Sequence, residues 1–575
     1  MILKRVAGAM TIACIITFVP TRIMAQSASQ LVPQSYRPAN ERTSESFTVP
    51  SIDGLSPPPG AGRVRLDIHD VDIPDLNSDP EAQELLNNLR KQIVGKPISG
   101  IDLFAAANQL EEGLIKSGRI LDRVVIPAQT LKKGDNIRIS VVRGFIERID
   151  IQKVPEAVRE RVGATLAPLE NKPGLRLPEI ERKILLAGDL PGLNLRSTLS
   201  KGKLPGGTIL TLEGGLRPIA GSLGLDNSLS QPSGHLNAGI GLDINGVGGI
   251  GEQTYVRLYG YPGDQNSVFS NNPRNRSVAA GIVLPLGHDG WTINPEITHA
   301  QSLTKSSSAP MQTEFLRGAI RLRYAMLRAR HLTWNLESSL DAASDRQDTG
   351  SSPSIAISRD QTRVARLSSE LIWTLSGGGQ ANGKVTASFG LNGLGARSRS
   401  EAASLLPLSR QGADDRFNKL EGLLRDVHPL TDQIILEASA RWQYSFNTPL
   451  LKSEQIGIAS PTGLSAFDAG ALTGDSGWLT RGELSYLLPV SIIKNHRLAL
   501  SPYIFASRGT VYLYQPSAVE HAQTSASSFG LGLRTTTTIP GTQISSTLSL
   551  EYGRQQRSDG QPIENRLNVS MSSQF

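Results

Sequence analysis

The eleven residues 565–575 constrain this chain most. They read NRLNVSMSSQF, which sets Leu567, Val569, Met571 and Phe575 on one parity and mostly polar side chains on the other. Successive side chains of an extended chain point to opposite faces, so the run predicts a strand with one apolar and one polar face. Ending on an aromatic, it suits the closing strand of a barrel that turns its apolar face to lipid and its polar face inward.

The other end of the chain agrees. Lys4 and Arg5 precede an apolar run over residues 6–19, and Ala25 precedes the polar QSASQ. Residues 1–25 are therefore expected to be a secretory signal cut after Ala25, since the run is shorter than the roughly 20 residues of a membrane-spanning helix. Cys14, the single cysteine, lies in that run, so the mature chain is expected to have no disulfide, thiol nucleophile or cysteine metal site. Hydrophobic residues make up 39% of the chain and glycines number 56, and no later segment approaches a helical span. Alternating strands with polar loops fit that composition. The net charge of +7 comes from basic residues interspersed with acidic ones, without a nucleic-acid module, so no nucleic-acid partner is expected.

Three parts follow the signal. Residues 26–62 are polar, carry Pro33, Pro38, Pro50, Pro57, Pro58 and Pro59, and read as an extended linker without an apolar helical stripe, so a stable helical plug is not expected there. Residues 63–215 hold two units of one order, strand–helix–helix–strand–strand. In the first (63–144) the pattern predicts a strand at 63–68, helices at 79–93 and 99–116, and strands at 119–126 and 136–142. Ser99 with Asp102 forms a capping-box pattern, and Leu103, Ala107, Leu110 and Leu114 make one apolar stripe. In the second (145–215) the corresponding spans are 145–152, 154–166, 177–187, 193–199 and 207–213. Residues 216–575 carry the barrel pattern.

At this point the residues resemble a family. IPAQTLKKGDNIRISVVRGFIERI (126–149) is similar to the end of the first POTRA domain of two-partner secretion transporters, the TpsB class. The stretch 177–213, with its DLPG and RSTL runs, resembles their second POTRA domain, and LGLDNSLSQPSG (223–234) their first barrel strand and turn. The resemblance implies two α+β periplasmic POTRA domains followed by a C-terminal 16-stranded antiparallel transmembrane β-barrel of the Omp85 superfamily. It also implies the Gram-negative outer membrane and one large exported partner, haemolysin- or adhesin-like. Outer-membrane lipids, the barrel-assembly machinery and periplasmic chaperones are further expected partners.

The length agrees: 360 residues from 216 to 575 give about 22 per strand with its connection, and a spanning strand needs about 9–11. Sixteen strands are predicted between 219–227 and 565–575, among them 313–323, 331–342, 362–374 and 496–507. The long connection 447–476 is expected to fold into the lumen. In the family its tip carries Val-Arg-Gly-Phe/Tyr, and the Arg meets an Asp of a Phe-x-Asp-x-Gly motif on strand 13. Here Leu464, Ser465 and Ala466 stand before Phe467, Asp468 and Gly470, and strand 13 offers Phe505, Ser507 and Gly509. Both charges are absent. Losing both is nearly neutral where losing one would strand a charge, so a weaker or differently made latch is expected. Arg481 and Glu483 share a parity on strand 12 and are the expected lumen contacts of Asp468, whereas Arg508 should face away from Ser507.

Val142-Arg143-Gly144-Phe145 spells the loop motif but sits between the two POTRA units and reads as a linker. The glycine-rich GVGGIGEQ (246–253) lacks the helix and acidic residue of a dinucleotide site and reads as a periplasmic turn. No catalytic motif, metal site or cofactor is expected, so the chain is read as a non-enzyme. Partner docking by strand addition is expected at strand 136–142 with helix 99–116, through Leu103, Ala107, Leu110, Leu114, Ile137 and Ile139, and at strand 207–213. The alternatives are an assembly factor for other barrels and a porin or nutrient channel.

Overall fold

The computed structural model describes residues 28–32, 47–48 and 55–575, apart from 77–78, 131, 133, 264, 305–309, 352, 376, 404–405, 494–495 and 543. The expected signal, 1–25, and most of the linker lie outside the described residues.

In the first unit α1 (Gln83–Ile93) and α2 (Gly100–Lys116) pack on three short strand pairs. Ser99 caps α2 reciprocally: its Oγ accepts the Asp102 N–H at 3.2 Å, and its own N–H donates to Asp102 Oδ2 at 2.9 Å. This fixes the helix start, and the stripe is buried as a consequence. Leu103, Ala107, Leu110, Leu114, Ile137 and Ile139 are all 0–4% exposed and form the core with Ile68, Leu86 and Ile93. Burial of a leucine side chain is worth about 1.5–3 kcal/mol. These six residues are therefore the domain's core and no docking surface, which corrects the expectation. The predicted strand 136–142 is also divided, into Ile137–Arg138 and Ser140–Val142, and each piece pairs with a different partner.

The second unit has one sheet backed by α3 (Glu156–Leu166) and α4 (Leu177–Gly188). Strand Gly207–Leu216 lies between Leu193–Lys201, to which it is antiparallel, and Phe145–Lys153, to which it is parallel. It is interior, so 207–213 is no free edge. Leu193–Lys201 lies further out, covered at Ser197 and Thr198 by a parallel two-residue strand of the linker, Phe47–Thr48. Between the units, an added Cβ at Gly144 would lie 1.9 Å from the Leu121 carbonyl oxygen, so that close approach requires glycine.

The barrel closes through sixteen antiparallel strands, with the short Ser491–Ile493 continuing the side of the twelfth against the start of the thirteenth. They are β1 (Ile219–Asp226), β2 (Asn237–Asn245), β3 (Gln253–Gly260), β4 (Asn275–Leu286), β5 (Trp291–Thr304) and β6 (Met311–Arg328). Next come β7 (Leu332–Thr349), β8 (Ala356–Thr374), β9 (Gln380–Gly390), β10 (Asn418–Pro429) and β11 (Ile434–Tyr444). The wall is completed by β12 (Ser476–Tyr486), β13 (His496–Tyr512), β14 (Gln523–Thr538), β15 (Ser545–Arg557) and β16 (Asn565–Gln574), which returns to β1. Along β8 the outward Leu367, Leu371 and Trp373 are exposed to the lipid side, while Val364 and Glu370 are buried inside. Trp291 stacks on Tyr324 at 4.4 Å near the short turns, and Trp442 and Tyr444 lie toward the opposite rim, as aromatic girdles require.

Several strands outrun their predicted ends. β7 continues past 342 to Thr349, and β8 begins at Ala356 rather than 362. Their outward residues there, such as Ser344, Arg346, Arg359 and Gln361, are polar, so the apolar alternation stops although the ladder continues. The predicted span of β6 also stops short of the Tyr324–Arg328 segment that meets the second unit.

A lumen loop seated on a small-residue wall

The connection between β11 and β12 folds into the barrel and is held at two levels. At its base, buried Asp475 accepts the N–H groups of Leu450 at 2.9 Å and Tyr514 at 2.7 Å and pairs with Arg410. Glu454, in a short turn of the loop, takes Arg366 of β8 at 2.7 Å and Lys419 of β10 at 2.9 Å. Arg366 also donates to Asp341 of β7 at 2.7 Å. These alternating charges compensate one another in a confined interior, where any one alone would be costly.

Above this base, Ile456–Gly457 pairs with Thr473–Gly474 and brings the tip back on itself. Leu464 and Phe467 pack with Ile456, Ile458 and Leu472 against Leu479, Val511 and Ala526 of the wall. Gly470 has φ +76°, a left-handed conformation suited to glycine. The wall beneath is made small: a Cβ at Gly553 would lie 3.2 Å from that of Ala466 and 3.1 Å from Phe505 Cζ. Ala466 N–H donates to Ser528 Oγ at 3.2 Å, and Ser507 Oγ donates to the Ser528 carbonyl at 3.2 Å. The tip and the strand-13 position are thus joined through β14 rather than by a direct ion pair.

A cation still occupies the junction, supplied by the wall. Arg481 of β12 lies over the Phe505 ring at 4.2 Å and donates to Ser465 Oγ at 2.9 Å and the Gly463 carbonyl at 3.4 Å. It also pairs with Glu551 at 2.6 Å and with Glu483 at 3.5 Å. Glu483 in turn takes Arg534 at 2.9 Å. Arg481 and Glu483 therefore face the lumen, but neither is the partner of Asp468, and the expectation is corrected there. Asp468 pairs with Arg566 of β16. Arg508 is exposed on the outer face, opposite in parity to buried Ser507. Arg566 escaped the sequence reading although it sits on the polar parity of the closing strand. Arg366, Lys419 and Glu454 gave no motif at all, because their partners come from separate strands.

Two further features frame the lumen. A single 3-10 turn of the linker, Ala28–Leu31, lies inside it: the Ala28 N–H donates to Thr313 Oγ1 at 2.8 Å and Ser29 Oγ to Asp345 Oδ2 at 2.6 Å. Over these residues the linker forms no α-helix but does occupy the interior. At the short-turn rim the second α+β unit is bolted on. Asp189 takes Arg328 through two bonds of 2.9 and 2.8 Å, Glu181 takes Arg330 at 2.6 Å, and Lys183 takes Asp289 at 2.6 Å. Burial, with Arg161 and Lys183 nearby, lowers the pKa of His288 in the same turn.

Comparisons with known proteins agree with this architecture. Residues 208–535 match the family described as haemolysin secretion/activation protein ShlB/FhaC/HecB, and residues 67–144 match the ShlB-type POTRA domain. The heme/hemopexin transporter protein HuxB of Haemophilus influenzae (strain 86-028NP) is 24% identical over 190 residues, 33% of this chain and 34% of HuxB. The chain thus matches about a third of HuxB's length. The outer membrane transporter CdiB of Escherichia coli O6:K15:H31 is 24% identical over 401 residues, 67% of this chain and 63% of CdiB. The solved structure of CdiB from Escherichia coli superposes with a TM-score of 0.70 at 18% identity, covering 93% of this chain and 95% of that one. CdiB from Acinetobacter baumannii gives 0.60 at 18% identity, covering 95% of each chain. With its POTRA domains on the periplasmic side of a closed 16-stranded outer-membrane barrel, the chain belongs to the ShlB/FhaC/HecB family of two-partner secretion transporters, within the Omp85 superfamily.

Proposed function

We propose that the protein exports one cognate, unfolded exoprotein of the haemolysin or adhesin type across the outer membrane, without catalysing a covalent step. The observation that carries this reading is the second POTRA domain, bolted by Asp189–Arg328 and Glu181–Arg330 to the rim of a polar lumen obstructed by the loop and by the linker turn Ala28–Leu31. A chain held at that rim is already at the entrance. The docking edge that fits strand addition is Leu193–Lys201 of the second POTRA sheet, reached when the linker strand Phe47–Thr48 that covers it at Ser197 and Thr198 is displaced, and not the buried stripe of α2. Its backbone supplies affinity, and its exposed Asn194, Arg196 and Thr198 supply selectivity.

Deleting the protein and comparing secreted and surface proteins with the total outer-membrane profile tests the proposal. Loss of one large exported protein with other barrels unchanged is expected. A general fall in outer-membrane barrels would overturn it in favour of an assembly factor.

A further inference from the structure

The seam that closes the barrel is short. β1 meets β16 over five residues, from Ser222 opposite Gln574 to Asp226 opposite Ser570, whereas β1–β2 and β2–β3 each pair over eight. Beyond Asp226, Asn227 continues the seam in another way. Its N–H donates to the Val569 carbonyl at 3.3 Å, its Nδ2 to the Leu567 carbonyl at 2.8 Å, and its Oδ1 accepts the Val569 N–H at 2.9 Å.

At the inner end Gly221 and Phe575 exchange backbone bonds of 2.8 and 3.0 Å, and further ties at the outer end come from the lumen. Arg566, facing inward on β16, reaches across the seam to the carbonyls of Asn227 at 2.5 Å and Leu229 at 3.3 Å. Its other terminal nitrogen pairs with Asp468 of the loop tip. The next loop residue, Ala469, donates its N–H to the Ser228 carbonyl at 2.9 Å, on the β1 side. On the β16 side, Asn568 Nδ2 donates to the Ser465 carbonyl at 2.8 Å. Residues 465–469 therefore touch both edges of one seam.

We infer that the tip of the lumen loop clamps the outer end of the β1–β16 seam, with Arg566 as the positioning residue that couples the two. A guanidinium is a planar fork and serves two directions at once: one arm meets the carboxylate while the other meets the carbonyls. Without Asp468 the arginine loses the anion that orients it, and it turns toward water. Under the export reading proposed above, a tip that withdraws to clear the lumen takes away the Asp468, Ala469 and Ser465 ties together. The outer seam then loosens as the path opens, without a separate trigger.

The test is hydrogen exchange on the full-length protein in lipid nanodiscs, with Asp468→Asn and, separately, Ala469→Pro. Amides of 565–570 and 224–228 are expected to exchange about tenfold faster in each variant, with those of β7 and β8 unchanged. Arg566→Lys, which keeps the charge but loses the fork, is expected to loosen the same segments. Unchanged seam exchange in folded Asp468→Asn would overturn the clamp, and so would a uniform rise over all strands. The readout needs no export, so it stands apart from the proposed function: lost export with an unchanged seam would sink the clamp alone.

Discussion

Arg481 lies face-on over Phe505, with 4.2 Å from its guanidinium carbon to the ring centre, and from there bonds both Ser465 of the loop tip and Glu551 of β15. The family places an arginine on the tip and an aspartate on strand 13. In this chain the cation belongs to β12 and the carboxylate to β15, and the ring of strand 13 is kept beneath the guanidinium. The two charges missing from the motif positions are thus replaced by two others that reach the same junction from the wall.

Removing only one of those charges should be harmful. Arg481→Met leaves Glu551 without its cation in a confined lumen, while Glu483 keeps Arg534, and breaking such a buried pair costs about 3 kcal/mol. The variant should show a lower unfolding midpoint in urea and faster proteolysis of the loop. Arg481→Met with Glu551→Met should be milder than the single change, and a double variant as unstable as the single would refute the assignment.

The small wall under the tip makes a steric prediction. Gly553→Val has no room beside Ala466, so the tip should be displaced and single-channel conductance in planar bilayers should rise. Gly553→Ala is the finer probe, because its Cβ meets Ala466 at 3.2 Å. Adding Ala466→Gly should return the Gly553→Ala conductance toward that of the native protein. Equal conductance in Gly553→Val and native barrels would show that the tip does not seat there.

Arg328→Ala strands Asp189 at the rim, against which the second POTRA domain is held. The domain should gain freedom, visible as a broader spin–spin distance distribution between labels on α3 and on the β8–β9 turn. Export should fall while barrel assembly is retained. A distribution as narrow as the native one would mean the remaining rim contacts suffice.

The rim should also respond to pH. His288 lies near Arg161 and Lys183, with Asp289 adjacent, and its Nδ1 is 3.3 Å from Thr165 Oγ1. Its folded pKa is lowered from 6.5, first by burial and then by the two cations. The folded form therefore favours the neutral ring, and its contribution is fully present above the unfolded value and lost as pH falls from there through the lowered folded value. The same label distances should broaden as the pH falls from 7.5 to below the ordinary histidine range, and His288→Asn should remove that pH dependence. Broadening that persists in His288→Asn would assign the effect to another group.

Local pattern alone determined much of this protein. Alternation in residues such as Leu567, Val569 and Met571 marks strands wherever one face meets lipid, and apolar spacing with the Ser99 cap marks α2, because both depend on neighbours a few residues away. The place of the loop and the loss of its two charges were legible through the resemblance to the family's motifs, not through periodicity. Where the outward face turns polar, as at Arg346 and Arg359, the alternation fails and the strand ends were missed. Only the tertiary structure decided which charges meet. Asp468 and Arg566 are 98 residues apart, and Arg481 and Glu551 70. No spacing rule reaches that far, since barrel closure and the folding-in of the loop bring them together. The same holds for the sheet order that buries 207–213 and for the core that claims the α2 stripe. Periodicity shows that a face is apolar, but what covers it is settled by packing against distant chain.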